Sequence, residues 1–95
     1  MLIGTLVPFG GSAATYGGDY GSARGEAQRQ AVNDWIRSQR VFDGVVDFDA
    51  ALRDPADPGR LLPRYDSGDH LHPSDAGYRR MAGTVDLAAL IALRR

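Results

Sequence analysis

Leu2-Ile3-Gly4-Thr5-Leu6-Val7 is a short run rich in branched side chains and closed by Pro8, the pattern of a strand buried on both faces. From Phe9 to Gly25 the apolar pattern stops. Gly10, Gly11, Gly17, Gly18, Gly21 and Gly25 lie there among serines, tyrosines and one aspartate, which predicts a long mobile loop with neither helix nor packed strand. Ala27, Ala31, Val32, Trp35 and Ile36 then recur at helical spacing, with Glu26, Arg29, Asn33 and Arg37 opposite. That predicts an amphipathic helix over about residues 25–40. Asp43-Gly44 marks a turn, and Val45-Val46-Asp47-Phe48-Asp49 reads as a second strand. Strand, helix, strand is a βαβ unit. Its right-handed crossover makes the strands parallel and brings the loop at 8–25 together with Asp47 and Asp49 to one edge of the sheet, the edge where open α/β sheets place their chemistry.

Ala50 to Asp54 fits a short helical turn, after which Pro55, Pro58, Gly59 and Pro63 predict an irregular run as far as Ser67-Gly68. Ser74-Asp75 is a helix start, a capping serine with an acid in the first turn. The last helix is expected from about Ala76 to Arg94, with Tyr78, Met81, Ala82, Val85, Ala89 and Ile91 to Leu93 placed to pack on the sheet. Arg94 and Arg95 would complement the negative end of its dipole.

Size and charge narrow the function classes. With 95 residues, 43% of them hydrophobic and 24% charged, the chain reads as one globular domain, residues 1–95, with a modest core. Eleven arginines stand against 12 acids for a net charge of −1, so there is no electrostatic footprint for nucleic acid or an anionic membrane. The absence of cysteine removes disulfides, thiolate metal sites and cysteine nucleophiles. The apolar stretches fall short of the ~20 residues of a membrane helix and no signal-peptide pattern opens the chain, so the expected location is cytoplasmic. The glycine loop lacks a following Gly-Lys-Ser/Thr and is assigned no nucleotide.

Chemistry concentrates at residues 66–75. Both histidines, His70 and His72, lie between Asp66 and Asp69 on one side and Asp75 on the other. An Asp-x-x-His pair suits general-base catalysis, because the carboxylate fixes the imidazole tautomer while the other ring nitrogen takes a proton. That assigns Asp69 as the orienting acid and His72 as the base. A metal alternative uses Asp69, His70 and His72 as three ligands for zinc or another divalent cation, leaving a position for an activated water. In an extended segment Asp69 points away from the two histidines, so Asp66, Asp47 or a second subunit would have to complete that site.

Asp69-His70-Leu71-His72-Pro73-Ser74-Asp75-Ala76-Gly77-Tyr78, preceded by Val45 to Pro55, resembles the C-terminal part of the SGNH hydrolases, the GDSL-type esterases and lipases. Gly4 to Phe9 and Val32 to Arg37 extend the resemblance over almost the whole chain. It implies that Asp69 and His72 are the catalytic acid and histidine, that His70 is a variable position, and that the fold is a fragment of a flavodoxin-like α/β/α sandwich ordered strand-helix-strand-loop-helix. The family's nucleophilic serine, oxyanion glycine and Gly-x-Asn-Asp segment belong upstream of Met1. Ser12 is the one serine placed to substitute, but Gly10-Gly11-Ser12-Ala13 lacks the family motif.

Three readings follow. In the first the chain hydrolyses a small carboxylic or phosphoric ester through a metal-activated water. In the second it is part of a split or truncated serine esterase that supplies only Asp69 and His72, needs no cofactor, and is inert alone. The third is an inactive, self-associating remnant. In each, the unpaired edge of the strand at 2–7 is expected to join a second copy, completing the sheet in a homodimer or a higher even-numbered oligomer.

Overall fold

The computed structural model describes residues 1–19 and 21–93. Strand β1 (Leu2–Gly4) is followed by a four-residue helix α1 (Ala13–Tyr16) and the long helix α2 (Ala23–Ser38), and the chain returns as strand β2 (Gly44–Val46). β1 and β2 pair in parallel, with Ile3 opposite Val45, as the βαβ pattern requires. β1 is shorter than the apolar run. Thr5 still donates its N–H to the Val46 carbonyl, but the Leu6 peptide is taken by one side chain: Asn33 Oδ1 accepts its N–H at 2.8 Å and Asn33 Nδ2 donates to its carbonyl at 2.9 Å.

That bond pair also accounts for where α2 departs from the expected faces, although Ile36 is buried and Arg37 exposed as expected. Arg29 and Asn33 are 1% and 0% exposed, whereas Val32 and Trp35 are 44% and 57% exposed. The buried face carries hydrogen-bonding groups that close the end of β1. Ser22 caps the helix by accepting the Gly25 N–H, so α2 starts ahead of the predicted Gly25. Upstream, α1 interrupts the predicted loop, and Gly17 and Gly18, at φ 70° and 66°, turn the chain back after it.

The second strand ends at Val46 rather than Asp49. Asp47 accepts the Ala50 N–H and becomes the N-cap of helix α3 (Phe48–Leu52), while Thr5 donates its hydroxyl to the same Asp47 oxygen. Asp49 is thereby turned inward. It is fully buried, with Arg29 Nη1 2.6 Å from Oδ1 and Arg37 Nη2 and Arg53 Nη1 2.8 and 3.1 Å from Oδ2. Burial works against the charge of Arg29, but bonds to Glu26 and Asp49 more than offset it and hold the guanidinium above its ordinary range. The same arginine donates to the carbonyls of Leu6 and Pro58, so one guanidinium ties α2 to the end of β1 and to the segment beyond α3.

That segment is ordered, contrary to the irregular run expected from its prolines. Strands β3 (Arg53–Asp54) and β4 (Asp57–Leu61) pair antiparallel. Gly10 donates to the Gly59 carbonyl and Leu62 to the Leu52 carbonyl, pinning the hairpin from both sides. A 3-10 turn at Pro63–Tyr65 leads to the chemically rich loop and then to helix α4 (Asp75–Leu93), which packs on β2, α3 and the 3-10 turn. Tyr78, Ala82, Val85 and Ile91, predicted to pack on the sheet, are instead exposed. The dipole role of Arg94 and Arg95 lies outside the described residues. None of the described helices is long and apolar enough to cross a membrane.

The helix and strand elements amount to an α/β fold with a thin core. Ile36, Val46, Leu52 and Leu61 are its buried hydrophobic side chains, beside Thr5, Ser12, Arg29, Asn33 and Asp49. Among the described residues every buried side-chain nitrogen and oxygen has a hydrogen-bond partner. Ser74 opens α4 as predicted: its Oγ accepts the Gly77 N–H at 3.2 Å and donates to the Arg64 carbonyl at 2.8 Å. Ser74→Ala should therefore lower stability by ~1 kcal/mol or somewhat more, read as a lower midpoint in urea.

Candidate active site

Residues 65–74 form a closed loop. Ser74 donates to the Tyr65 carbonyl, Asp66 and Pro73 form an antiparallel bridge, and Ser67 donates to the His72 carbonyl. Gly77 seats α4 against this base, since a side chain there would come within 2.8 Å of the Tyr65 carbonyl oxygen. At the tip, two aspartates divide their oxygens in the same way. Asp69 Oδ1 accepts the N–H groups of Leu71 and His72 at 2.9 and 2.8 Å, and its Oδ2 meets His72 Nδ1 at 2.6 Å. Asp66 Oδ1 accepts the N–H groups of Gly68 and His70 at 2.8 and 3.1 Å, and its Oδ2 meets His70 Nδ1 at 2.6 Å. One oxygen of each shapes the backbone and the other orients an imidazole.

The electrostatics follow from those bonds. The His72 ring, with the N–H groups of His72 and Leu71 and the Tyr16 hydroxyl, holds the Asp69 carboxyl well below the usual carboxylate range. For Asp66 burial works against the charge, but Gly68 and His70 outweigh it and its pKa also falls. Both groups are more acidic folded than unfolded, so their contribution to loop stability is complete above the unfolded value of about 4 and fades as pH falls below it. Amide protection factors in residues 66–72, the exchange rates taken relative to the intrinsic rate at each pH, should hold from neutral pH down to about 4 and fall under further acidification.

The structure joins Asp69 to His72 but places His70 elsewhere. His70 adopts a left-handed backbone, φ 63°, at a cost of roughly 1–2 kcal/mol for a residue with a Cβ, and Asp66 holds it there by two bonds. Its ring lines a cavity of about 290 Å³ with Asp54, Arg60, Leu61, Pro63, Asp66 and Gly68. The three expected metal ligands therefore do not converge, because each imidazole is turned to its own carboxylate. Among the described residues no three histidine, aspartate or glutamate side chains gather around a common point. Asp47 and Asp49, the other acids expected at this edge, are committed to arginines. This donor arrangement does not fit a divalent cation.

No serine hydroxyl bonds His72 among the described residues. Ser12 is fully buried and donates to the Phe9 carbonyl at 2.7 Å, which removes it as a stand-in nucleophile. Ser22, Ser38 and Ser74 donate to backbone carbonyls and Ser67 to Asp69 Oδ1. One neighbour of the pair escaped the sequence reading. Tyr16, 53 positions away, donates its hydroxyl to Asp69 Oδ2 at 2.8 Å and sets its ring edge toward His72, centroids 6.2 Å apart. No local pattern marks a contact of that span inside a glycine-rich segment.

The arrangement can accept a proton at His72 Nε2 while Asp69 holds Nδ1–H. A second cleft, about 300 Å³ and lined by Leu6, Phe9, Asp19, Gly25, Gln28, Arg29 and Val32, includes no residue of the 66–75 loop. A family model described as GDSL-like lipase/acylhydrolase matches residues 5–80, a span that begins just past β1 and contains α2, β2 and the whole Asp69–His72 loop. No curated protein matches the chain.

Proposed function

The chain belongs to the GDSL-like lipase/acylhydrolase family, and we propose that it supplies the acid–base pair of a serine ester hydrolase whose nucleophile sits on other polypeptide. The observation that carries this reading is the 2.6 Å contact between Asp69 Oδ2 and His72 Nδ1 on an accessible loop. As a serine oxygen attacks the ester carbonyl, His72 Nε2 takes the hydroxyl proton. The resulting imidazolium, stabilised by Asp69, then gives that proton to the departing alkoxide. Activation by a metal-bound water finds no matching ligand set in the loop, and the serine route needs none.

The chain alone tests this. An accessible imidazole with a bare Nε2 should hydrolyse p-nitrophenyl acetate slowly, with the rate lost in His72→Ala and kept in His70→Ala, and a serine-directed fluorophosphonate should leave no adduct. A phosphonylated serine on this chain would contradict the proposal, as would a rate indifferent to His72→Ala.

The same reading makes β1 and β2 two strands of a larger, flavodoxin-like parallel sheet completed by further polypeptide. Leu2–Gly4 pair only with β2 among the described residues, and Leu6, Val32 and Trp35 are exposed beside them. The accessible surface is 5906 Å², against about 5,300 Å² for a folded monomer of this mass. Lacking the serine-bearing partner, two copies of the chain bury this face against each other. Sedimentation at micromolar concentration should give twice the monomer mass, and Val32→Glu/Trp35→Glu should give the monomer. A folded wild-type monomer would remove the dimer from the account.

A further inference from the structure

We infer that Tyr16 is a positioning residue for the Asp69–His72 pair, acting on His72 through the carboxylate they share. The inference rests on the acid–base reading of that pair for its catalytic consequence, but its geometry stands independently. Asp69 lies on a loop, with its side chain 21% exposed and that of His72 58% exposed. A carboxylate so placed can be solvated from several sides and can rotate, so the packing that would lock it in a buried site is missing here. Its Oδ1 is held by the N–H groups of Leu71 and His72 and by the Ser67 hydroxyl. Oδ2, the oxygen that faces the imidazole, has among the described residues one further anchor, the Tyr16 hydroxyl at 2.8 Å.

The tyrosine contributes in two ways. Its O–H occupies a lone pair of Oδ2, leaving the other for His72 Nδ1–H and fixing the rotation of the carboxyl group. Its ring stands at 73° to the imidazole in an edge arrangement, limiting the tilt of His72 on the same side. The segment that carries it is built to deliver one side chain. α1 is four residues long, none of them buried, and Gly17 and Gly18 turn the chain immediately after Tyr16 with open space around both. Nothing in α1 contributes to the core, so its contact with the loop is what the turn accomplishes. The carboxylate in return raises the Tyr16 phenol above its ordinary pKa, chiefly through the shared hydrogen bond, which keeps the hydroxyl a donor.

Tyr16→Phe and Tyr16→Ala, read by carbon-13 titration of the Asp69 carboxyl and by the His72 Nδ1–H proton signal, test the assignment without any need for ester turnover. Tyr16→Phe should move the Asp69 midpoint upward and speed exchange of the Nδ1 proton with water, with unchanged circular dichroism and a fall in melting temperature no larger than the midpoint shift itself implies. In the activated-ester assay it should slow His72-dependent hydrolysis by about tenfold, the worth of one hydrogen bond. A Tyr16→Phe chain indistinguishable from wild type in both signals would overturn the inference, whether or not Tyr16→Ala differs. So would a change accompanied by loss of the folded circular-dichroism signal, which would make Tyr16 merely structural. Absence of ester hydrolysis in the wild type would instead strike the proposed function and leave the titration result standing.

Discussion

Asp49→Ala should destabilise the fold by about 3–5 kcal/mol, the usual result of stripping one partner from a buried ion pair. Both side chains of the Arg29–Asp49 pair are fully buried. Removing Asp49 leaves Arg29 with Glu26 and two carbonyls and without its buried carboxylate partner. It also takes one carboxylate partner from Arg37, which keeps Asp47, and the partner of Arg53, both of which converge on the other Asp49 oxygen. A chain of this size has roughly 5–15 kcal/mol of total stability, and a core of four buried hydrophobic side chains among the described residues puts this one near the lower figure. Urea denaturation followed by circular dichroism should show the variant largely unfolded at room temperature. A loss below about 1 kcal/mol, the size of an exposed pair, would mean that the network is solvated rather than buried.

With the serine-bearing polypeptide present, His72→Ala should reduce ester hydrolysis by about 10²- to 10⁴-fold, the range that a positioned general base contributes. Asp69→Asn should approach the same loss with His72 still present, because an amide can present its NH₂ to Nδ1 and stabilise the tautomer whose proton sits on Nε2, where a base is needed. The comparison with His70→Ala and Asp66→Asn makes this specific. That pair has the same 2.6 Å contact, yet it faces the cavity shared with Arg60 and Asp54, so its loss should change the shape of the loop more than the chemistry. Equal losses from the two histidines would show that the loop, rather than His72, is what matters.

What was legible in the sequence divides along physical lines. Periodicity located β1, α2, β2 and α4, and the Ser74 cap and the Asp69–His72 spacing could be read because both are local hydrogen-bond patterns. Val45 to Asp49 reads as a strand because an apolar run follows the Asp43-Gly44 turn, but Asp47 bonds the Ala50 N–H, and a capping aspartate looks the same as a strand's polar position until its partner is known. Arg29 and Asn33 were placed on the solvent face because their side chains are polar. Their burial depends on partners at Leu6, Asp49 and Pro58, each 20 or more positions away. The β3–β4 hairpin has little strand propensity of its own, and Tyr16 reaches Asp69 across the molecule. Pairings made over such distances leave no mark in any local window.

The tautomer of His72 tests the central claim most directly. A long-range nitrogen-15 spectrum recorded above about pH 8.5, past the ordinary imidazole range, reports which ring nitrogen carries the proton. With Asp69 holding His72 as the geometry has it, the proton sits on Nδ1 and Nε2 is bare, and Asp69→Asn reverses the two. An Nε2–H tautomer in the wild-type chain, unchanged by Asp69→Asn, would contradict the acid–base pair on which the proposed hydrolysis depends.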